Sequence, residues 1–233
     1  MAGSRTADEI RSAVLGGGWK PGERLRPAVL AERFGTSTTV VREALARLAG
    51  DGLVAARRNR GFFVPQLDLR ELGDVTELRC VSEALAARLS LERGDLQWES
   101  ELNAAHHHLS RVPRRDPAAA ERITEEWTAA HKAFHAKILE AAACPAMSRL
   151  AANLAGSTEL YRRWAAPSAA AAVRDVEREH RSILEAALAR DAAGLAALLR
   201  AHYEATVQVV LESGLAADPA GEPEPAALAG RRT

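Results

Sequence analysis

The chain has 233 residues, 47% hydrophobic and 27% charged, an ordinary composition for one large or two average globular domains. Its formal charge of zero hides an asymmetry: residues 1–65 carry 11 Lys or Arg against six acids, a net +5, which leaves −5 on the remainder. No apolar run approaches the ~20 residues of a membrane span, and acidic residues precede any apolar run at the N-terminus, which excludes a secretory signal. We expect a cytoplasmic protein whose basic head suits nucleic acid.

The first 65 residues predict three helices and two strands. A helix over residues 5–15 ends at a run of glycines, and Pro27 and Gly35 bound a second helix. Ser37 is a suitable N-cap for a third helix, whose apolar residues recur at the i, i+3, i+4, i+7 spacing of one helical face. Two short strands, 53–56 and 62–64, flank an arginine-rich turn. Three helices and a basic hairpin are typical of a winged helix-turn-helix, here over residues 1–65.

Residues 66–215 show helical periodicity and no further alternation typical of strands, so we predict an all-helical bundle. Its six predicted helices cover residues 69–93, 95–111, 117–143, 145–164, 168–190 and 191–214. Residues 216–233 are rich in proline and glycine and are expected to form a disordered tail. The fold class is therefore mainly α: an N-terminal winged helix-turn-helix joined to a bundle of about six helices that binds a ligand.

Polar residues of the helix-turn-helix lie where such motifs contact DNA. The N-terminal end of the second motif helix enters the major groove, where Arg42 can donate two hydrogen bonds to guanine. The hydroxyl groups and the backbone N–H groups at the N-terminal end of that helix can bind DNA phosphates, and so can the arginines of the wing. The predicted DNA-binding residues are Arg33, Ser37, Thr38, Thr39, Arg42, Arg57, Arg58, Arg60 and Gly61.

Several short motifs follow one another in this region. They are Pro21-Gly22-Glu23-Arg24-Leu25, Leu30-Ala31-Glu32-Arg33-Phe34-Gly35, Val41-Arg42-Glu43-Ala44-Leu45, Arg47-Leu48, Gly52-Leu53-Val54 and Asn59-Arg60-Gly61-Phe62-Phe63-Val64. In this order and spacing they resemble the DNA-binding domain of the GntR family. The resemblance implies a transcription regulator that binds a palindromic operator as a homodimer. The family often has Arg-Thr-Pro where this chain has Thr38-Thr39-Val40, which indicates an altered operator sequence.

Four histidines of the predicted bundle are candidate metal ligands. His131 and His135 lie one turn apart on one helix, whereas His180 and His202 belong to two later helices. Facing helices assemble internal metal sites in bundles, and four imidazoles suit zinc, or else nickel or cobalt. Spacing alone does not exclude that His131 and His135 are an exposed or hydrogen-bonded pair and not metal ligands. The run 106–108 is expected to be a solvated face, because consecutive helical residues point about 100° apart.

A second, looser resemblance covers residues 69–214. Its motifs are Leu78-Arg79 with Glu83, Phe134-His135, Glu179-His180 with Ile183 and Asp191, and Ala201-His202. They are similar to the FCD effector domain of the FadR-type branch of the GntR family. The resemblance implies a small carboxylate effector that completes the coordination of a bound metal ion. Metal-binding members place an aspartate where His131 stands; the exchange favours a softer, nitrogen-rich site, or else weaker metal binding.

Arg79 is a candidate effector-binding residue, because a guanidinium donates well to a carboxylate. An ion pair with Glu83, one turn later, is an equally good interpretation, and Arg162 and Arg163 rank lower as effector contacts. A metal-dependent hydrolase is an alternative from another class, but its His-Glu-x-x-His motif needs glutamate where Lys132 stands. A further alternative is a DNA-binding protein without an effector, but that interpretation gives the acidic bundle no role. We therefore expect a regulator and no enzyme.

Overall fold

A computed structural model describes residues 2–16 and 18–215, so the predicted tail 216–233 lies outside the described residues. Within these ranges the head contains α1 (Ala2–Leu15), β1 (Arg24–Leu25), α2 (Pro27–Arg33), α3 (Thr38–Gly50), β2 (Ala55–Arg57) and β3 (Gly61–Phe63). The elements that follow are α4 (Leu69–Arg93), α5 (Leu96–Arg111), β4 (Arg115–Asp116), β5 (Ala119–Ile123), α6 (Glu125–Glu140), α7 (Pro145–Ala165), α8 (Ala169–Val173), α9 (Val176–Leu188) and α10 (Ala192–Glu212). The predicted fold class is confirmed.

The three helices of the head pack around one apolar core. The face of α3 that the sequence pattern predicted is buried against Ile10 of α1 and Leu30 of α2. Burial of each such large aliphatic side chain contributes roughly 1.5–3 kcal/mol. Ser37 caps α3 as predicted, since its hydroxyl accepts the backbone N–H of Val40 at 3.2 Å.

A three-stranded antiparallel sheet forms the wing. β3 lies between β1 and β2 and pairs with both. The sequence predicted β2 and β3 with bounds displaced by one or two residues, but not β1, because two residues are too few to show alternation. Asn59, in the turn between β2 and β3, and Gly61, the first residue of β3, have positive φ values of 58° and 98°. Glycine adopts that backbone without strain, so Gly61 allows the turn to close.

The helix predicted over residues 117–143 is wrong in its first part. Residues 115–123 form the antiparallel hairpin β4–β5, and α6 begins only at Glu125. Local hydrogen bonds override the helical tendency of this alanine-rich stretch: the Asp116 carboxylate accepts the Ala118 N–H at 2.9 Å across a turn that contains Pro117. Thr124 then caps α6 by accepting the backbone N–H of its third residue at 3.1 Å.

The helix predicted over residues 168–190 is two helices, so residues 66–215 contain seven helices rather than six. The break lies at Arg174 and Asp175. Arg174 has extended backbone, and its guanidinium binds Glu179 and the carbonyl of His202. Asp175 caps α9 by accepting the N–H of Arg178 at 3.0 Å. These side-chain contacts replace the backbone bonds that a continuous helix would make.

Helix α7 contacts both the head and the bundle. Its Leu160 belongs to the apolar core of the head, with Trp164 packed beside it. On the other side of the helix, Ala165 packs with Leu72 of α4 and Val210 of α10. Helix α7 therefore contributes to the packing of both the head and the bundle. None of the helices in the described ranges is both long and apolar enough to cross a membrane.

Candidate metal and effector site

Four histidine side chains meet inside the bundle. His131 and His135 come from α6, His180 from α9 and His202 from α10, and all four are buried. One ligand nitrogen of each lies within 4.8 Å of those of the others. Ligand nitrogens at 2.0–2.1 Å from a tetrahedral zinc ion are about 3.4 Å apart, so the four imidazoles have to rotate towards one another for all of them to bind one ion. The convergence that spacing alone left open is present.

The four imidazoles are neutral. Burial, followed by repulsion from neighbouring histidines, lowers the pKa of His131, His135 and His180 well below 6.5. Burial also lowers the pKa of His202, to about 4, although its contact with Glu179 acts in the opposite direction. Because a neutral imidazole keeps a lone pair, all four side chains are in the form that binds metal.

Two of these histidines have a partner for the outer ring nitrogen. Nδ1 of His202 lies 2.6 Å from Oε2 of Glu179, and Nδ1 of His135 lies 3.4 Å from the hydroxyl of Tyr203. Nε2 of His135 and Nε2 of His180 are buried and have no hydrogen-bond partner in the described part of the chain. An orphaned buried nitrogen is costly, and a metal ion would satisfy both. The donor set fits a borderline divalent ion such as zinc.

His131 differs from the other three histidines. Its Nδ1 lies 3.2 Å from Nη1 of Arg162. Since a guanidinium only donates, this contact makes Nδ1 an acceptor and leaves the ring proton on Nε2. Trp127, one turn earlier on α6, stacks on the His131 ring with centroids 4.8 Å apart. His131 is therefore a candidate ligand whose lone pair already accepts a hydrogen bond.

Three arginines surround the histidine cluster. Arg174 is fully engaged, because its Nε and Nη2 donate to Glu179 at 2.8 and 2.7 Å. Although burial alone would raise the pKa of Glu179, its hydrogen bonds from His202 and Arg174 lower that pKa to about 2. Arg114 and Arg162 have no carboxylate at ion-pair distance among the described residues. Burial lowers the pKa of each to about 10, so both stay positive at neutral pH.

Two cavities flank the cluster. The larger has a volume of about 240 Å³ and reaches His180, whereas the smaller, of about 30 Å³, reaches His131 and His202. Four side chains line both cavities: Arg114, Trp127, Arg174 and Val176. The two cavities therefore adjoin each other beside the histidines.

The expected solvated histidine face on α5 is wrong for one of its three members. His107 and His108 are exposed, but His106 is half-buried, lines the larger cavity and has its ring centroid 5.4 Å from that of Phe134. Three consecutive helical residues cannot all face one ion, but one of them can still lie beside residues from other helices, as His106 does.

Arg79 lies away from both of these cavities. Its Nε donates to Oε1 of Glu83 at 2.7 Å, and its Nη1 donates to the Thr158 hydroxyl at 3.3 Å. The guanidinium carbon is 3.9 Å from the ring centroid of Tyr203, whose hydroxyl also donates to Glu83. The ion pair weighed in the sequence analysis is formed, and the effector contact by Arg79 stays a prediction.

We expect Arg79→Ala to lower the free energy of unfolding by about 3–5 kcal/mol, because it leaves the buried carboxylate of Glu83 without its cation. Urea unfolding measures the loss. Arg88→Ala is a matched control on the same helix: its pair with Glu92 is half exposed on both sides, and removal should cost no more than about 0.5 kcal/mol. Equal losses in the two variants would contradict a structural role for the buried pair.

The predicted DNA-binding residues occupy the exposed end of α3 and the wing. Ser37, Thr38, Thr39 and Arg42 are exposed, as are Arg33 of α2 and Arg58 and Arg60 of the wing, whereas Gly61 and Arg57 are half-buried. Arg57 lies over the Phe63 ring at 4.7 Å and Arg33 over the Trp19 ring at 5.0 Å. Arg42, Arg58 and Arg60 form no ion pair within the described ranges. Their guanidinium groups are available for phosphates or base edges.

A winged head with free basic side chains, joined to a helical domain with a buried imidazole cluster, defines a DNA-binding regulator with a sensory domain. Residues 2–64 match the bacterial regulatory proteins of the gntR family, and residues 74–205 match the FCD domain. The chain therefore belongs to the GntR family and is a DNA-binding transcriptional regulator, not an enzyme. Regulators of this kind bind DNA through the head and small-molecule effectors through the FCD domain.

Relatives extend over most of the chain. An uncharacterized HTH-type transcriptional regulator, BphR of Paraburkholderia xenovorans, is 32% identical over 90% of this chain and 85% of its own length. The HTH-type transcriptional repressor GlaR of Escherichia coli is 27% identical over 88% of this chain and 93% of its own. The structure of E. coli McbR/YncC superimposes with a TM-score of 0.72, at 22% identity, over 91% of this chain and 97% of that one. This structural similarity supports the fold described above for the chain.

Sequence reasoning missed several residues around the histidines. Trp127 had a usable signal, because it precedes His131 and His135 at the same four-residue spacing and so shares their helical face. Arg114 had none, since it lies between elements, and Arg162 was ranked below Arg79. Neither could be placed without knowing which helices face each other.

Proposed function

We propose that this protein is a repressor that binds a palindromic operator as a homodimer and releases it when a small carboxylate effector binds beside a divalent metal ion. The ion is zinc in this proposal, with nickel or cobalt as alternatives. Residues 1–65 bind the operator, residues 66–215 bind the effector and the second subunit, and the protein acts in the cytoplasm. The buried cluster of four neutral imidazoles carries this proposal. The name of GlaR as a repressor supports the direction of regulation.

The metal ligands in this proposal are His135, His180 and His202, with His131 as the fourth. Glu179 fixes the His202 ring by accepting its Nδ1 proton at 2.6 Å, which directs Nε2 into the cluster and makes it a better donor. A metal ion held there would accept a carboxylate oxygen as its fourth ligand where three of the histidines bind it, or as a fifth ligand where all four do. The surrounding arginines would bind and orient the rest of the effector.

An apolar stripe on α4 supports the homodimer. Leu78, Val81 and Leu85 lie on one face of this helix, and their exposed fractions are 48%, 60% and 42%. Large apolar side chains at such spacing normally pack against another surface. In a two-fold dimer each stripe would cover its counterpart, and the two heads would then reach half-sites related by the same two-fold axis.

Helix α7 supports a route from effector to DNA. Arg162 of α7 lines the smaller cavity, while Leu160 lies in the core of the head. The contact with the head is tight: a Cβ at Gly52 would lie 2.9 Å from the Ser157 hydroxyl oxygen. A shift of α7 on effector binding would therefore displace the head. A coupling of ~1–3 kcal/mol suffices for ordinary allosteric control.

Selection of bound fragments from genomic DNA tests the function, with light scattering for the oligomeric state. We expect a dimer and a two-fold symmetric binding site. Val81→Glu should produce monomers and weaken operator binding by at least about tenfold, because a charge replaces an apolar contact and the two heads are no longer linked. Val173→Glu, at an exposed apolar position away from α4, is the control and should remain dimeric. A monomeric wild type, or selected fragments without an inverted repeat, would reject the proposal.

A further inference from the structure

We propose that the effector of this protein carries two anionic groups, one received by Arg162 and the other by Arg114. This inference rests on the proposed function, because it concerns the ligand of the same site. It makes the two arginines specificity-determining residues that distinguish a dianion from a monoanion.

Arg162 is a half-buried cation with no carboxylate at ion-pair distance among the described residues. Its one hydrogen-bond contact among the described residues is with Nδ1 of His131, at 3.2 Å. The nearest acidic side chain on its own helix, Glu159, is bound by Lys132 and by Arg163 instead. A ligand that enters the smaller cavity meets Arg162 next to the histidine cluster. The first anionic group therefore binds where the guanidinium and the imidazoles meet.

Arg114 is a second half-buried cation that forms no ion pair with a described residue. Its Nε is buried and has no partner in the described part of the chain, and its guanidinium carbon lies 5.5 Å from the ring centroid of Trp127. Trp127 in turn stacks on His131, so one indole lies between Arg114 and the first anion position. Because Arg114 lines both cavities, it can receive a group on the far side of that indole.

The charges of the site do not balance without a ligand. No carboxylate belongs to the four-histidine cluster, and a divalent ion bound there would add two positive charges. Glu179 compensates Arg174, which leaves the charges of Arg114 and Arg162. Uncompensated positive charges in a partly buried site are costly, and a dianion offsets more of this cost than a monoanion does.

The space available limits the size of such a ligand. Arg114 and Arg162 both line the smaller cavity, of about 30 Å³, whereas of the two only Arg114 reaches the larger one; even the larger cavity, of about 240 Å³, is smaller than the roughly 300–1,000 Å³ of pockets for drug-sized ligands. A compact molecule with two carboxylates a few atoms apart fits these conditions.

Calorimetric titration of the zinc-loaded protein tests the inference. The probes are malonate, succinate and glutarate, each compared with the monocarboxylate that lacks one carboxyl group: acetate, propionate and butyrate. We expect at least one dicarboxylate to bind about tenfold or more tightly than its partner. Arg114→Gln should remove this advantage and leave the monocarboxylate affinity unchanged, whereas Arg162→Gln should weaken both. Arg111→Gln, at an exposed position outside both cavities, is the control and should change neither.

Equal affinities within every pair, including no binding by either member, would overturn the inference. So would an Arg114→Gln variant that weakens both members alike. Neither result would affect the proposed function, which is judged separately by the metal content of the protein and by its selection of operator DNA.

Discussion

The double change His135→Ala/His180→Ala should abolish zinc binding while the chain stays folded. Both imidazoles have a buried Nε2 that no described residue hydrogen-bonds, so the two substitutions remove the nitrogens that are best prepared to bind an ion. With only His131 and His202 left, the site falls below the three protein ligands that hold zinc in catalytic and sensory sites. Elemental analysis of protein purified without a histidine tag measures the loss, and circular dichroism monitors the fold.

His107→Ala/His108→Ala is the matched control, because it removes two exposed histidines outside the cluster and should leave one zinc per chain. His131→Ala should keep the metal with an affinity reduced by about 10–100-fold, since its Nδ1 already accepts from Arg162. Unchanged zinc content in the His135→Ala/His180→Ala variant, or no zinc in the wild type after reloading, would reject the metal site.

Arg42→Ala should reduce operator affinity by about 1–3 kcal/mol, which is roughly 5–150-fold, with a much smaller loss on random DNA. Arg42 is exposed at the N-terminal end of α3 and forms no ion pair in the described ranges, so it is free to contact a guanine edge. Fluorescence anisotropy on operator and scrambled duplexes measures both affinities. The loss should concentrate at particular base pairs when each is changed in turn.

Arg58→Ala is the comparison for Arg42→Ala, because Arg58 is an equally exposed arginine of the wing. It should weaken binding to operator DNA and to random DNA alike. The number of ions released on binding, measured from the salt dependence, should fall by about one, as expected for a phosphate contact. Equal losses on both duplexes for Arg42→Ala would contradict base recognition by α3.

Local signals explain what sequence reasoning predicted well. Helix α4 begins and ends at the predicted residues 69 and 93, because Asp68 caps its first turn and Gly94 follows its last. Ser37 and the apolar face of α3 likewise depend on neighbours within one or two turns. Prediction failed where side-chain hydrogen bonds, local or long-range, compete with the helical tendency of a segment. The alanine-rich residues 119–123 pair as a strand, and Arg174 interrupts a helix to reach α10.

Helical periodicity, capping and motif spacing are properties of adjacent residues, and they indicated the two-part architecture, the residues predicted to contact DNA and the four histidines as candidate ligands. The packing of the helices was needed to show that the four imidazoles converge, that Glu83 engages Arg79, and that Arg114 and Arg162 lie near the cluster with no carboxylate at ion-pair distance among the described residues. Those relations join residues far apart in the chain. They depend on how helices pack, which no local pattern specifies.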